Sequence, residues 1–407
     1  MYLIPTKGKK MVRSKKNLGC CLWLLLSLVS CGEAPSVSHW QKGNLHTHSL
    51  WSDGDDFPEM ILQWYKDHGY RFVALSDHNT IADTLQWHRI DARDRRYQTY
   101  EKYRHRFGDW VETRTADGDT FVRLKTFEEY RHKLQEADSF LILRSEEVTS
   151  GHEKKPVHIN VTNLKEKIEP FRGSSVLEVM QQTLDAVHAQ RKRLNRPMFA
   201  HINHPNFGYG ISTQDLIGLR GERFFEVYNG HPAVHNEGDA LHIDLEQMWD
   251  LVNVAYYHDQ KPLMYGIATD DSHNYHVQSL DKSNTGRGWV MVNTPRLDPA
   301  GIVTAMERGE FYASSGIDLK SLYNDRQKLS LSVDAQAGVD YEILFLGYRK
   351  NSDGVQLLKK VKGDRASYTF HPDDIFVRVK INSNAPKNNP YRAGETTQAW
   401  TQPLLLP

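Results

Sequence analysis

The chain has 407 residues, 39% hydrophobic and 25% charged, with zero formal net charge at neutral pH. That is enough for one large domain with a smaller one attached, and it excludes an intrinsically disordered chain. The even balance hides an asymmetry: Lys7, Lys9, Lys10, Arg13, Lys15 and Lys16 all precede the first acidic residue, Glu33, so removal of that segment leaves about −6 and no basic field to attract nucleic acid.

Leu18 to Val29 is a mostly apolar stretch, the length of a signal-peptide core and too short for a membrane span of roughly 20 residues. It ends in Leu28-Val29-Ser30-Cys31, which resembles a bacterial lipobox, where cleavage before the cysteine exposes it for lipid attachment. Residues 1–30 are therefore read as a lipoprotein signal peptide, Cys31 as the lipidated residue and 31–43 as a linker. An ordinary signal peptide or a short anchor would also export the protein. The expected location is the bacterial cell envelope, lipid-anchored and facing the periplasm or the exterior, with the membrane as a partner through the lipid. Cys20 and Cys21 leave with the signal segment, so neither a disulfide framework nor a thiolate metal site is available. Metal chemistry must rest on His, Asp and Glu.

Beyond the linker, short apolar runs alternate with helical periodicity, the rhythm of βα units around a parallel sheet. Strands are expected at 44–48, 71–76, 140–144, 157–161, 198–202, 224–228, 263–268 and 289–292, with helices at 58–68 and 175–194. His46 and His48 are two apart on an expected strand, so both project to one face and suit a single ion. His78, Glu147, His158, His204, Asp271 and His273 also fall at or just after strand ends, where a (β/α) barrel assembles its active site.

These residues sit in recognisable company: His46-x-His48 with Ser52-Asp53-Gly54, then Ser76-Asp77-His78, Glu147-Val148-Thr149 with His158, His204-Pro205, and Asp271-Ser272-His273. Taken in order from about Asn44 to Gly316, they resemble the PHP superfamily, named for polymerase and histidinol phosphatase. Ile202-Asn203-His204-Pro205-Asn206, Glu226-Val227-Tyr228-Asn229-Gly230 and the stretch Pro299 to Gly316 resemble its secreted branch, which includes carbamate ester hydrolases.

The resemblance implies an α/β fold, a distorted (β/α)7 barrel over 44–320, and a centre of two or three divalent ions of Zn, Mn or Fe. Carried over position by position, it puts His46, His48 and Asp271 on one ion. Glu147 bridges to a second that also holds His158 and His204, while Asp53, His78 and His273 take a third. Glu147 and Asp271 are the residues assigned to catalysis, in which paired ions make hydroxide available near neutral pH. Glu147 is preferred over Glu146, and His204 over His201, which is read as a supporting or buried histidine. Asp77 is expected to orient a ligand, and Asp270 stands where the family commonly has serine.

An insertion at 81–136 is expected to be helical and to overhang the site, with Arg89, Arg93, Arg95 and Arg96 as either an anion clamp or a solvated helix face. His231, His276 and Arg287 are weaker candidates for substrate contact or proton transfer, with a core or surface role as the equal alternative. From 321 to 407 the texture changes to short alternating segments, read as a small antiparallel β domain. The expected function is a metal-dependent hydrolase of the phosphoric ester type, acting on a small, anionic phosphate ester outside the cytoplasm. The alternatives are a carbamate or carboxyl ester hydrolase and a non-catalytic surface-binding lipoprotein.

Overall fold

The computed structural model describes residues 39–90, 96–325 and 327–406. The signal segment, Cys31, Arg93, Arg95 and the Arg96 side chain lie outside the described residues. In chain order the first part comprises β1 (Trp40–Asn44), α1 (Pro58–Asp67) and β2 (Phe72–Leu75). The insertion then contributes β3 (Gln86–Ile90), α2 (Arg96–Phe107), β4 (Thr113–Ala116), β5 (Asp119–Leu124) and α3 (Phe127–Leu134). The chain continues with β6 (Leu141–His152), β7 (Lys155–Thr162), α4 (Val176–Leu194), β8 (Phe199–Ile202), α5 (Thr213–Gly218), β9 (Phe224–Asn229), α6 (Leu245–His258), β10 (Tyr265–Thr269), β11 (Trp289–Asn293), α7 (Pro299–Glu307) and β12 (Phe311–Ser314). Eight further strands follow: β13 (Leu319–Asn324), β14 (Lys328–Val333), β15 (Tyr341–Arg349), β16 (Gln356–Lys362), β17 (Arg365–Thr369), β18 (Asp374–Pro386), β19 (Thr396–Thr401) and β20 (Leu404–Leu405).

The helices begin and end where their sequences dictate. Pro58 opens α1, where its missing N–H costs nothing, and Ile61, Leu62 and Tyr65 bury one face. Ser175 caps α4 by accepting from the Glu178 N–H, and Asn195 ends it in a left-handed turn. Strands β2, β8 and β9 are buried at every residue, as strands covered on both faces must be. Their side chains alternate between one inner cluster and two outer ones, the latter over β2 and over β8 and β9 respectively. Val73 and Leu75 join an outer cluster. Phe72 and Ala74 join an inner one that also takes Leu45, Leu143, Phe199, Phe224, Ile267 and Val290 from neighbouring strands.

The expected all-parallel sheet is corrected by the pairing. β1–β2, β2–β6, β8–β9 and β9–β10 are parallel, but β6–β7, β7–β8 and β1–β11 are antiparallel. A short turn after His152 returns β7 directly beside β6, with His152 opposite Lys155, so no crossover helix separates them. The architecture is mixed α/β around a large central sheet that runs β10-β9-β8-β7-β6-β2-β1-β11-β12-β19-β18-β15-β16 and is not closed. Its β1 and β10 regions nevertheless meet beyond the strands, where the His48 N–H donates to the Ser272 carbonyl at 2.9 Å and the Asp271 N–H to the His46 carbonyl at 3.0 Å.

The insertion is not simply helical: besides α2 and α3 it forms a three-stranded sheet, β3-β5-β4. The C-terminal segment is antiparallel, and pairing of β12 with β19 extends the central sheet into it.

Candidate metal centre

His46 and His48 lie just past β1, and the two backbone hydrogen bonds to Ser272 and Asp271 fix both peptides. Their Nε2 atoms stand 3.2 Å apart. Glu147 Oε2 is 3.3 Å from the first and 3.1 Å from the second, and Asp271 Oδ1 is 3.2 and 3.3 Å from them. Atoms bound at about 2.0–2.2 Å to one divalent ion stand roughly 3.0–3.5 Å apart, so this donor set fits such an ion.

Glu147 reaches a second set through its other oxygen. Oε1 is 2.9 Å from His158 Nδ1 and 3.7 Å from His204 Nε2, and these three form one group that could hold an ion. Asn203 Nδ2 donates to the same Oε1 at 2.8 Å and holds the carboxylate in place. Strand alternation sends Glu146 the other way, where it accepts from the Ile168 N–H at 3.0 Å and burial pushes its carboxyl up to about 8.

A third group brings Asp53 and His78 together with His48 and His273. Asp53 Oδ1 is 3.3 Å from His273 Nε2 and Oδ2 is 3.5 Å from His78 Nε2. The turn carrying Asp53 is tied by Asp77, which accepts from the Ser49 N–H and from both the Ser49 and Ser52 hydroxyls at 2.7 Å. Asp77 thus shapes the turn that presents Asp53, and Ser52, 3.5 Å from His48 Nδ1, relays it to a second candidate ligand. Gly54 closes the same turn; a Cβ there would come within 2.5 Å of the His48 carbonyl.

The group is electrostatically short of positive charge. Burial alone would lower the His46 pKa, yet Asp271, Glu226 and Glu147 together hold it well above the imidazole value. Burial likewise opposes the rise at His78, but Glu147 and Asp53 bring it to about 10. Glu147 and Asp271 stay ionised despite full burial because surrounding imidazoles offset the desolvation. Carboxylates that demand cations from their neighbours suit a multinuclear site.

Sequence reasoning quoted Glu226 as part of a motif without giving it a role. In the structure it is fully buried beneath the cluster: Oε1 accepts from His46 Nδ1 at 2.7 Å and from the Thr269 hydroxyl at 2.8 Å. Oε2 accepts from the His204 N–H and Asn229 Nδ2, each at 2.8 Å, and Asn229 also donates to Asp271 Oδ2 at 3.1 Å. His201 is buried beside it, with Nε2 3.4 Å from Glu226 Oε1, and groups with Glu226 and His46, whereas His204 groups with Glu147 and His158. His204 and Asp271 both adopt positive φ, 22° and 50°, a strained backbone of the kind that gathers at functional sites.

Other candidates are displaced from the cluster. Asp270 is buried and accepts from the N–H groups of Gly286, Arg287 and Gly288 and from the Tyr65 hydroxyl, a bracing role. Arg287 takes the structural one of its two readings: it donates to the carbonyls of Gly230, Lys282, Ser279 and Pro390 and ties loops together. His231 stands beside His273, ring centroids 5.6 Å apart, and burial lowers it to about 4. Arg89 pairs with Asp119 across the β3–β5 ladder rather than projecting to the site.

No family model matches the chain, and no curated protein matches it. Among solved structures it is similar to a two-domain protein from Bacteroides vulgatus containing a predicted PHP-like metal-dependent phosphoesterase, with 13% identity, 90% of this chain and 96% of that chain covered, and a TM-score of 0.41. It is also similar to a protein from Bifidobacterium adolescentis described as a putative metal-dependent phosphoesterase, with 12% identity, 57% and 88% covered, and a TM-score of 0.29.

Proposed function

We propose that the protein is a metal-dependent hydrolase of the PHP type, a phosphoesterase that acts on small anionic phosphate esters outside the cytoplasm and is held in the cell envelope through Cys31. The observation that carries this reading is the division of the Glu147 carboxylate, with Oε2 toward His46 and His48 and Oε1 toward His158 and His204. A carboxylate shared in this way lets two cations approach despite their repulsion. In this reading His46, His48 and Asp271 hold one ion with Glu147, His158 and His204 hold a second with it, and Asp53, His78 and His273 hold a third. Divalent ions there supply the charge that polarises a phosphoryl oxygen and makes a water acidic near neutral pH. Zn, Mn and Fe all suit this mixed nitrogen and oxygen set. The chain's own contribution is orientation: Glu226 sets His46, Asn203 sets Glu147, and the Asp77-braced turn presents Asp53.

The fold is read in the same terms, as a distorted seven-stranded barrel of β1, β2 and β6 to β10. Supporting it are the inner cluster, to which β2, β6, β8, β9 and β10 contribute together with β11, α7 and β12, and the backbone contacts between the ends of β1 and β10. The test of function is an assay of purified, metal-loaded protein on phosphomonoesters, phosphodiesters and carbamates. Phosphomonoester turnover that a chelator abolishes is expected. Turnover of carbamates alone overturns the substrate class, and turnover of none overturns the enzyme.

A further inference from the structure

Beside Asp53, on the side of the insertion, the surface opens into a pocket of about 470 Å³, within the range of small-molecule sites. Ser52 and Asp53 form the wall shared with the third ligand group; α2 supplies Thr99 and Lys102, and the loop after His273 supplies His276 and Lys282. The insertion therefore completes a cavity that the metal ligands alone would leave open.

The position of Lys102 is set by a relay. His276 Nε2 lies 3.1 Å from the Asp55 carbonyl and 2.8 Å from the Thr99 hydroxyl, which places the ring proton on that nitrogen. Nδ1 is then the lone-pair end, and it faces Lys102 Nζ at 3.5 Å. Across the pocket Lys282 Nζ is 3.9 Å from Asp281 Oδ2, beyond hydrogen-bond reach. The carboxylates on this wall are otherwise engaged: Asp53 faces His273 and His78, and Asp55 accepts from the Tyr275 N–H at 2.8 Å and Asn274 Nδ2 at 3.3 Å. Two ammonium groups thus border a cavity that adjoins the candidate metal centre through Asp53, which lines both.

Resting on the phosphoesterase reading above, we propose that this pocket is a second-anion subsite: it receives a carboxylate or phosphate carried on the leaving group, so the preferred substrate is a small phosphate ester with two anionic ends. The reacting ester sits at the metal cluster while Lys102 and Lys282 hold the far anion by charge-assisted hydrogen bonds.

The test compares 2-phosphoglycerate with glycerol 2-phosphate, esters of similar size that differ in a carboxylate. Metal-loaded wild-type protein should favour 2-phosphoglycerate by at least about tenfold in kcat/KM, the scale of one charge-assisted contact. K102A/K282A should lose that preference through a raised KM while glycerol 2-phosphate turnover stays within about twofold, and K102R should keep most of it. Equal wild-type rates on the two esters, or a preference that survives K102A/K282A, overturns the subsite. Calorimetric binding of 3-phosphonopropionate against propylphosphonate, which cannot be hydrolysed at the P–C bond by this chemistry, provides a separate readout. If neither ester turns over, the function fails but the subsite still stands or falls on whether the carboxylate tightens binding in wild type and ceases to do so in K102A/K282A.

Discussion

Glu226 Oε1 and His46 Nδ1 are joined by a hydrogen bond of 2.7 Å between two side chains with no exposed surface. The bond keeps a proton on His46 Nδ1 and turns Nε2 toward His48, Glu147 and Asp271. A buried carboxylate in contact with a ligand histidine raises that ligand's basicity and sets its orientation.

Replacing Glu226 with Gln keeps the volume and removes the charge. Metal affinity should fall by about 10–100-fold, the scale of such supporting partners, while circular dichroism stays unchanged. Titration with a divalent ion by calorimetry measures this, and an unaltered affinity would show that Glu226 serves packing alone.

Glu147→Gln should lower hydrolysis by at least about 100-fold and reduce the metal bound per chain, because a neutral amide cannot bridge two cations. His204→Ala should cost more activity than His201→Ala, whose ring lies beside Glu226. The reverse order would exchange their roles.

Elemental analysis of protein purified without chelator should find more than one equivalent of divalent metal. A constant single equivalent would remove the trinuclear arrangement. Chelation should lower Tm and metal should restore it, since an ion that binds only the folded state stabilises it by mass action.

Glu222 offers a pH test remote from the metal ligands. It is buried with Oε1 accepting from the N–H groups of Arg223 and Phe224, and burial pushes its carboxyl up to about 8. The folded state therefore binds the extra proton between the ordinary carboxyl value and about 8, and stability falls as pH rises across that window. Glu222→Gln, which cannot ionise, should raise Tm relative to wild type at pH 8 and lose the advantage near pH 4.5. A difference independent of pH would assign the effect to packing.

Cys31→Ala should release the protein from the membrane fraction with hydrolysis intact, because the lipid anchors a domain that folds without it. Retention in the membrane would point to an uncleaved apolar segment.

The candidate ligands at strand ends were legible because each stands as a polar residue interrupting an apolar run, whereas the choice of Glu147 over Glu146 rests on the family resemblance, since alternation says only that the two face opposite sides. Glu226 carried the same signal, a single carboxylate inside Phe224–Asn229, but one charged residue in a strand does not say which face it takes. The antiparallel return of β7 was hidden because an apolar run has no direction written in it; only the short turn between His152 and Lys155 marks it. In the insertion, strands such as Gln86–Ile90 and Thr113–Ala116 are largely exposed, so they lack the hydrophobic period by which a strand is recognised. Lys102 and His276 meet across 174 residues of sequence, a proximity set entirely by packing.

The left-handed backbone at Asp271 has an evolutionary cost. Glycine would relax that position, where a non-glycine residue carries strain on the order of 1–3 kcal/mol, but Asp271→Gly would also remove the carboxylate that faces His46 and His48 and accepts from Asn229. Backbone relief and side-chain chemistry pull this one residue in opposite directions, so a library screened for folding without metal should tolerate changes at Asp271 that a screen for metal binding rejects.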